Sequence, residues 1–348
     1  PDVMDTWATS SLTPLIVCGW ERDPALFTQT FPMHMRPQAH DIIRTWLFST
    51  VLRSHLEADA LPWSHTAISG WVLDPDRKKM SKSKGNVVTP MGLLEEHGSD
   101  AVRYWAAKGG PGVDTAFEPG QMKVGRRLAI KILNASRFVL GRMAPVGPVS
   151  EPVDRGMLAD LDALVIRVTS ALDAYEYAVA LRDSEAFFWH FCDFYIELVK
   201  RRRLGDDAAA QSAVAAAQTA LSTLLRLFAP YMPFVTEEVW SWWQTGSVHR
   251  APWPTATVVD PTREPDQLAF AQACAITTRI REERSALKLG FGVPVRAVLR
   301  LHAAHEALWA VICSDVASGN NVAATEVSFD LSEEAPIAAQ LTPQTPDA

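Results

Sequence analysis

The sequence predicts a mainly α-helical chain with an α/β part at its N-terminal end and a small α+β segment at its C-terminal end. Three observations carry this. Residues 1 to about 108 alternate short apolar runs with amphipathic segments, the texture of an α/β unit. Residues 121–142 and about 154–245 show helical periodicity nearly throughout, and long helices joined by short polar connections mean an antiparallel bundle. Beyond residue 266 one further helical stretch leads to VRAVLRLH (295–302), which reads as a strand. These changes of texture divide the chain at 1–108, 109–150, 151–250 and 251–348.

The elements follow in order. AHDIIRTWLFSTVLRSH (39–55) places Ile42, Ile43, Trp46, Leu47, Thr50 and Val51 on one broad helical face. TAISGWVL (66–73) is rich in β-branched and aromatic residues between turn signals, as a strand should be. TPMGLLEEHG (89–98) opens a helix with Thr89 at the N-cap and Pro90 at the first helical position, and Gly98 closes it. Asp100 is then placed to cap AVRYWAAK. A Gly/Pro-rich break, 109–120, precedes the bundle. The Ala-rich helix within 208–229 must stop at Pro230. Phe187, Phe188, Trp189, Phe191 and Phe194 lie too close together for one face, so most of them are expected in the core and one or two are left for base stacking. HRAPWP (249–254) reads as a stiff linker, and the polar, Pro-rich tail from 332 is expected to fray.

The bulk numbers bound the function. A chain of 348 residues, 48% of them hydrophobic, has ample core for two or three domains. No apolar run reaches the roughly 18 residues of a membrane span. Cys18, Cys192, Cys274 and Cys313 are far apart and form no C-x-x-C pair, so neither a zinc site nor a disulfide framework is expected, which fits a reducing cytosol. The start, PDVMDTW, has neither an initiator Met nor a signal pattern and reads as a cut end. A net charge of −7 excludes a bulk-basic nucleic-acid binder but not a local basic face. Three basic clusters stand out: Lys123, Arg126, Arg127, Lys131, Arg137 and Arg142 with no acid among them; Lys200 to Arg203; and Arg279, Arg281, Arg284 and Lys288. One such run would be an ordinary solvated helix face. Three in an acidic chain point to a polyanion.

DPDRKKMSKSKGN (74–86) carries the chemistry. It holds five lysines and arginines in thirteen residues, with two serines interleaved. A solvated hairpin tip has the same composition. This loop, however, follows a strand and precedes a capped helix, which puts it at the carboxyl edge of a sheet, where α/β proteins bind phosphates. Lysine is a compact, rotatable point charge suited to phosphate oxygens. Serine hydroxyls add donors, and Gly85 permits close backbone approach. Such lysines could neutralise charge developing on a departing pyrophosphate.

KMSKS (79–83) resembles the second signature of the class I aminoacyl-tRNA synthetases, and the form KKMSKSKGN is specific. DTWATSSLTP (5–14) is similar to the DTWFSSALWP element of the valyl members, and RPQAHDIIRTW (36–46) to their next sheet motif. FCDFYIELVK, PYMPFVTEEVW and HRAPWP resemble the anticodon-binding bundle of the valyl, isoleucyl and leucyl group. The resemblance covers most of the chain. It implies the second half of a Rossmann-type catalytic domain, then a stem-contacting region (109–150), the anticodon bundle and the α+β segment. It implies ATP, with Mg2+, and valine as substrates, tRNA(Val) as partner, and a monomeric cytoplasmic enzyme that forms valyl-adenylate and transfers the valyl group to tRNA. Lys79 and Lys82 take the catalytic role. Lys79, Met80, Ser81, Lys82, Ser83, Gln38 and His40 bind ATP, and Trp7, Asp41 and Ile42 bind the amino acid. Lys123, Arg126, Arg127, Lys131, Arg137 and Arg201 fall to tRNA. A tight apolar box with one carboxylate suits a small β-branched amino acid, and it rejects an isosteric hydroxyl poorly.

Ala8 and Thr13 depart from the valyl pattern, which puts the packing there in question. No HIGH-type sequence occurs in these residues. The first half of the nucleotide fold and the editing insert are therefore expected outside this chain, which alone is expected to be inactive. A stand-alone tRNA-binding module and an isoleucyl or leucyl relative are the competing readings, the latter disfavoured by the DTW and HDII elements.

Overall fold

A computed structural model describes residues 6–81, 85–143, 147–256, 264–332 and 337–344. Three short helices, α1 (Thr6–Ser10), α2 (Thr13–Val17) and α3 (Pro24–Thr30), lead into strand β1 (Met33–Ala39). A 3-10 turn, His40–Ile42, and a π turn, Ile43–Leu47, open into α4 (Phe48–Ala58), and β2 (Trp63–Ser69) returns parallel to β1. This β1–α4–β2 unit is the expected α/β part. The broad apolar face read over 39–55 narrows in the structure. Within α4 and its π turn the fully buried stripe is Trp46, Thr50 and Ser54, while Ile43, Phe48, Leu52 and Leu56 are exposed. The extra residue of a π turn rotates the phase of everything beyond it.

The strand read over 66–73 is interrupted. Gly70 separates β2 from the short β3 (Val72–Leu73), because a Cβ there would lie 2.3 Å from the backbone of Val113. Next come α5 (Pro90–His97), α6 (Ser99–Lys108) and β4 (Thr115–Ala116), which pairs parallel with β3. Thr89, Pro90 and Gly98 occupy the expected positions around α5.

The helical part consists of α7 (Pro119–Leu140), α8 (Pro152–Asp173), α9 (Tyr177–His190), a π turn Phe191–Tyr195, α10 (Ile196–Val199), α11 (Ala208–Phe228), α12 (Pro233–Ser241) and α13 (Glu264–Ala286). Phe187, Phe188 and Phe191 are buried, whereas Trp189 and Phe194 are half-buried. Beyond it, β5 (Val295–His302), α14 (Glu306–Gly319), β6 (Val322–Leu331) and β7 (Ile337–Pro343) form a sheet ordered β6-β5-β7. β5 alternates, burying Val295, Ala297, Leu299 and Leu301. The tail does not fray where it is described. β7 zips antiparallel onto the open edge of β5, Val295 opposite Pro343 and Leu301 opposite Ile337, and buries Ala339 and Leu341. An unpaired strand edge is a template for any chain that reaches it. One hydrophobic cluster runs continuously from Tyr104 through the bundle to Leu341.

Two polar contacts fix the parts together. Asp100 does not cap its own helix. Its carboxylate accepts from the backbone N–H groups of Phe234 (3.1 Å) and Val235 (2.7 Å), at the start of α12. An anion there satisfies donors that no helix can satisfy itself and meets the positive end of the dipole. The second contact corrects the reading of 200–203 as a basic rim. Arg202 donates to Asp154 of α8 (2.7 and 2.9 Å), to Asp315 of α14 (2.9 to 3.2 Å) and to the carbonyl of Ala209. Tyr195 and Ser212 hydroxyls also donate to Asp154, which is fully buried. Burial opposes the charge on Arg202, but the two carboxylates outweigh it and hold its pKa above the ordinary value. Arg203 is buried and donates to the carbonyls of Phe138 and Val139, leaving Arg201 as the exposed arginine of the run.

Removing Arg202 strands two buried carboxylates. Arg202→Ala should cost about 3–5 kcal/mol, measured by urea denaturation. A loss below about 1 kcal/mol would show that the network does not hold α14 to the bundle.

Candidate functional site

The cationic loop begins as a hairpin whose returning residue, Lys79, reaches the carboxyl ends of β1 and β2. Leu73 and Lys79 form an antiparallel bridge. Asp74 is the clamp. Its carboxylate accepts from the Lys78 N–H (2.8 Å) and from Asn86 Nδ2 (2.7 Å), and these bonds hold its pKa below the carboxylate range. Asn86 in turn accepts from the Ser81 N–H (2.9 Å) and donates to the Lys79 carbonyl. The two stems are thus cross-tied by residues twelve positions apart. Met80 anchors the tip by packing against the cluster of Ala101, Phe117 and Met122. Lys82 and Ser83 lie outside the described residues.

This scaffold delivers Lys79 to the end of β1. Its ammonium donates to Asp41 (3.0 Å) and stands 4.4 Å from the centre of the Trp71 ring. His40 packs on the same indole, 4.6 Å between ring centres, and its Nδ1 lies 3.2 Å from the Ser69 carbonyl. The Lys79 hydrogen bond is the main reason that the Asp41 carboxyl is held below its ordinary pKa; the Trp71 N–H, which makes no well-formed hydrogen bond, adds a smaller pull. Four side chains, from the end of β1, the residues just after β2 and the loop, therefore meet at one point. A carboxylate beside an aromatic face is a seat for a primary ammonium, and here Lys79 fills it.

Gln38 lies one turn of strand back, buried, and neither of its amide atoms has a hydrogen-bond partner among the described residues. Buried polar atoms are normally paired, so this amide has bonding capacity that the described residues leave unused. Ile42 is half-buried in the 3-10 turn next to Asp41. Trp7 is 40% exposed on α1, a helix tied to the site by the hydrogen bond from Trp46 Nε1 to the Ser10 carbonyl (2.9 Å). The sequence reading missed Trp71, Asp74 and Asn86. Asp74 and Asn86 flank the motif and carry turn chemistry, so they could have been found. Trp71 gave no signal, because the partners of its ring come from two other segments.

The basic helix α7 is less uniform than its sequence. Lys123, Arg126, Arg127 and Arg137 are exposed. Arg126 and Lys131 sit about 140° apart around the helix, at the two edges of a broad face with Lys123 and Arg127 between them. Arg126 donates to the Glu96 carbonyl at the end of α5 (2.6 Å), and Lys131 pairs with Asp193 (3.8 Å). Arg137 lies 5.8 Å from the ring of the partly exposed Trp242. Arg201 donates to Asn321 (3.4 Å). In the third basic cluster Arg284 is buried, so it belongs to the interior. Among the described residues no group of His, Cys, Asp and Glu is placed to hold a metal ion.

Comparisons with known proteins bear on the family and the fold. Residues 1–118 match the family of class I tRNA synthetases (I, L, M and V), and residues 154–299 match the anticodon-binding domain of tRNA ligase. A valine–tRNA ligase of Salinispora tropica is 54% identical over 340 residues, covering 91% of this chain and 40% of that protein. One from Thermobifida fusca is 53% identical, covering 96% of this chain and 38% of that protein. The chain thus spans about two-fifths of the length of these relatives. A ternary complex of Agrobacterium radiobacter K84 agnB2 LeuRS with tRNA and LeuAMS shares the fold over 74% of this chain and 33% of that one, with a TM-score of 0.60 and 21% identity. The Mycobacterium tuberculosis methionyl-tRNA synthetase in complex with methionyl-adenylate does so over 68% and 49%, with a TM-score of 0.57 and 22% identity.

The Lys79–Asp41 pair makes a titration prediction. Lys79→Ala should raise the Asp41 pKa towards about 3.9, followed by NMR of the carboxyl carbon. Because the folded pKa is depressed, the stabilisation from the pair is present above the unfolded value and is lost as pH falls through the folded one. The stability gap between wild type and variant should close over that acid range. An Asp41 pKa that does not move would show that Lys79 is not its partner.

Proposed function

Because the chain belongs to the class I tRNA synthetases, we propose that it is the loop-bearing and anticodon-binding part of a valine–tRNA ligase. The observation that carries this is the convergence of Lys79, Asp41, His40 and Trp71 at the ends of parallel strands, on a hairpin built to hold a KMSKS sequence. The reaction has two steps. The valine carboxylate attacks the α-phosphorus of ATP and expels pyrophosphate. A terminal ribose hydroxyl of tRNA(Val) then attacks the adenylate carbonyl and expels AMP.

Each residue takes a role, those of Lys82 and Ser83 resting on the motif alone. Asp41 receives the valine ammonium, and Trp7 and Ile42 supply apolar wall. Gln38 and His40 serve ATP, with the backbone and hydroxyl groups of Met80, Ser81 and Ser83. Lys79 and Lys82 neutralise the charge that builds on the departing pyrophosphate, which is electrostatic stabilisation of the transition state. Mg2+ arrives on the ATP phosphates as part of the substrate. An incoming valine ammonium would compete with Lys79 for Asp41 and free the lysine towards the phosphates. Lys123, Arg127 and Arg137 offer tRNA an exposed cationic ridge, flanked by Arg126, Lys131 and Arg201. Phosphate contacts of this kind position RNA without reading sequence. Among the described residues no helix is long and apolar enough to cross a membrane, and a cytoplasmic monomer fits the reading.

Two measurements on the complete protein that contains this chain test the proposal. Valine-dependent pyrophosphate exchange should fall by roughly 10²–10³ in kcat for Lys82→Ala, with KM for ATP little changed. A raised KM at unchanged kcat would mean that the loop only holds nucleotide. In tRNA binding, replacing Lys123 and Arg127 with Ala should weaken cognate and non-cognate tRNA alike and reduce the slope of log K against log salt by about two. An unaltered slope would return that ridge to an ordinary solvated surface.

A further inference from the structure

A cavity of about 450 Å³ lies where the edge of α7, the π turn 191–195, α10, α13 and the loop after α13 come together, lined by Lys131, Asp193, Phe194, Glu197, Arg281 and Phe291. Phe291 stands over it, 43% exposed, although it is a large apolar side chain. Its loop is fixed from beneath. The buried Arg284 donates to the carbonyls of Gly290 (3.2 Å) and Val293 (3.0 Å), and also to those of Asn320 and Asn321. Asn321 Nδ2 donates to the carbonyls of Phe291 (3.3 Å) and Gly292 (3.2 Å). The phenyl ring is therefore displayed at a set position.

Cations surround it, and Lys200 among them also donates to Glu197 at 2.7 Å. Lys200, Arg281 and Arg284 lie 5.5, 5.6 and 5.6 Å from the Phe291 ring centre. Arg281 is also 5.0 Å from Phe194, so its guanidinium bridges two aromatic rings, and its buried Nε has no hydrogen-bond partner among the described residues. Lys131 pairs with Asp193 and lies 5.6 Å from the ring of Trp189.

We propose that this cavity seats one unstacked base of the bound tRNA, stacked on Phe291 beside Arg281. The inference rests on the tRNA reading above and adds a residue-level site to it. The chemistry favours a base over a bare anion. The carboxylates of Asp193 and Glu197 in the same wall repel phosphate but accept from an exocyclic amino group or ring N–H. A fixed, exposed aromatic ring flanked by arginine is how unpaired bases are held. The volume admits a single base, and Lys131 places the cavity at the edge of the basic helix.

The test is equilibrium binding of tRNA carrying a valine anticodon to the complete protein, at several salt concentrations. Phe291→Ala should weaken binding about tenfold while leaving the salt slope unchanged, because stacking releases no counterions. Phe291→Trp should restore it. Arg281→Ala should also weaken binding, and the thermal midpoint of Phe291→Ala should match the wild type. Wild-type affinity in Phe291→Ala would overturn the site while leaving tRNA as the partner. A weakening that Trp does not rescue, or one that follows a lowered midpoint, would overturn it in favour of a structural role. If the wild-type protein binds no tRNA, the partner reading fails, and this inference with it.

Discussion

The arrangement of the C-terminal half hangs on one guanidinium. Arg202 reaches Asp154 and Asp315 at once, and in doing so joins α8 to α14. Neither carboxylate could stay buried without it, because an unpaired charge in the interior costs several kcal/mol. The consequences run outward. With Asp315 held, the end of α14 is held, and Asn320 and Asn321 follow. Their carbonyls accept from Arg284, which fixes the loop that displays Phe291. A buried ion pair thereby determines the position of an exposed ring.

The N-terminal α/β part is joined to the bundle by equally specific chemistry. Asp100 at the start of α6 caps α12, and Arg103 from the same helix donates to the carbonyls of Pro230 and Tyr231. Gly125 of α7 lies against Tyr104, where a Cβ would come within 2.9 Å of the ring side chain. The same pair of helices forms the small cluster that seats Met80. The base of the cationic loop and the root of the basic helix therefore share one packing unit, which fixes their relative positions.

Several features were legible in the sequence because their causes are local. The helix over 89–98 is set by Thr89, Pro90 and Gly98, and β5 by its alternation. The cationic motif announces itself by composition, and its placement between a strand and a capped helix is enough to suggest phosphate chemistry. The family was legible from the same residues, since KKMSKSKGN and the DTW and HDII elements are contiguous stretches.

Other features depend on partners that no local pattern names. Asp100 looks like the cap of its own helix and caps one that begins 133 residues later. The run Lys200–Arg203 looks like a basic rim, yet burial turns two of its arginines inward, because charge in sequence carries no direction. The tail looks frayed until the open edge of β5 offers it a ladder of hydrogen bonds. Trp71 acquires its meaning only when His40 and Lys79 arrive on its ring. By itself the sequence determined the capped helix over 89–98, the helical texture of the bundle, strand β5 and the composition of the loop, since these follow from periodicity, caps and side-chain type. Only the tertiary structure decided which charges pair and which remain exposed, because that depends on distances between segments far apart in the chain.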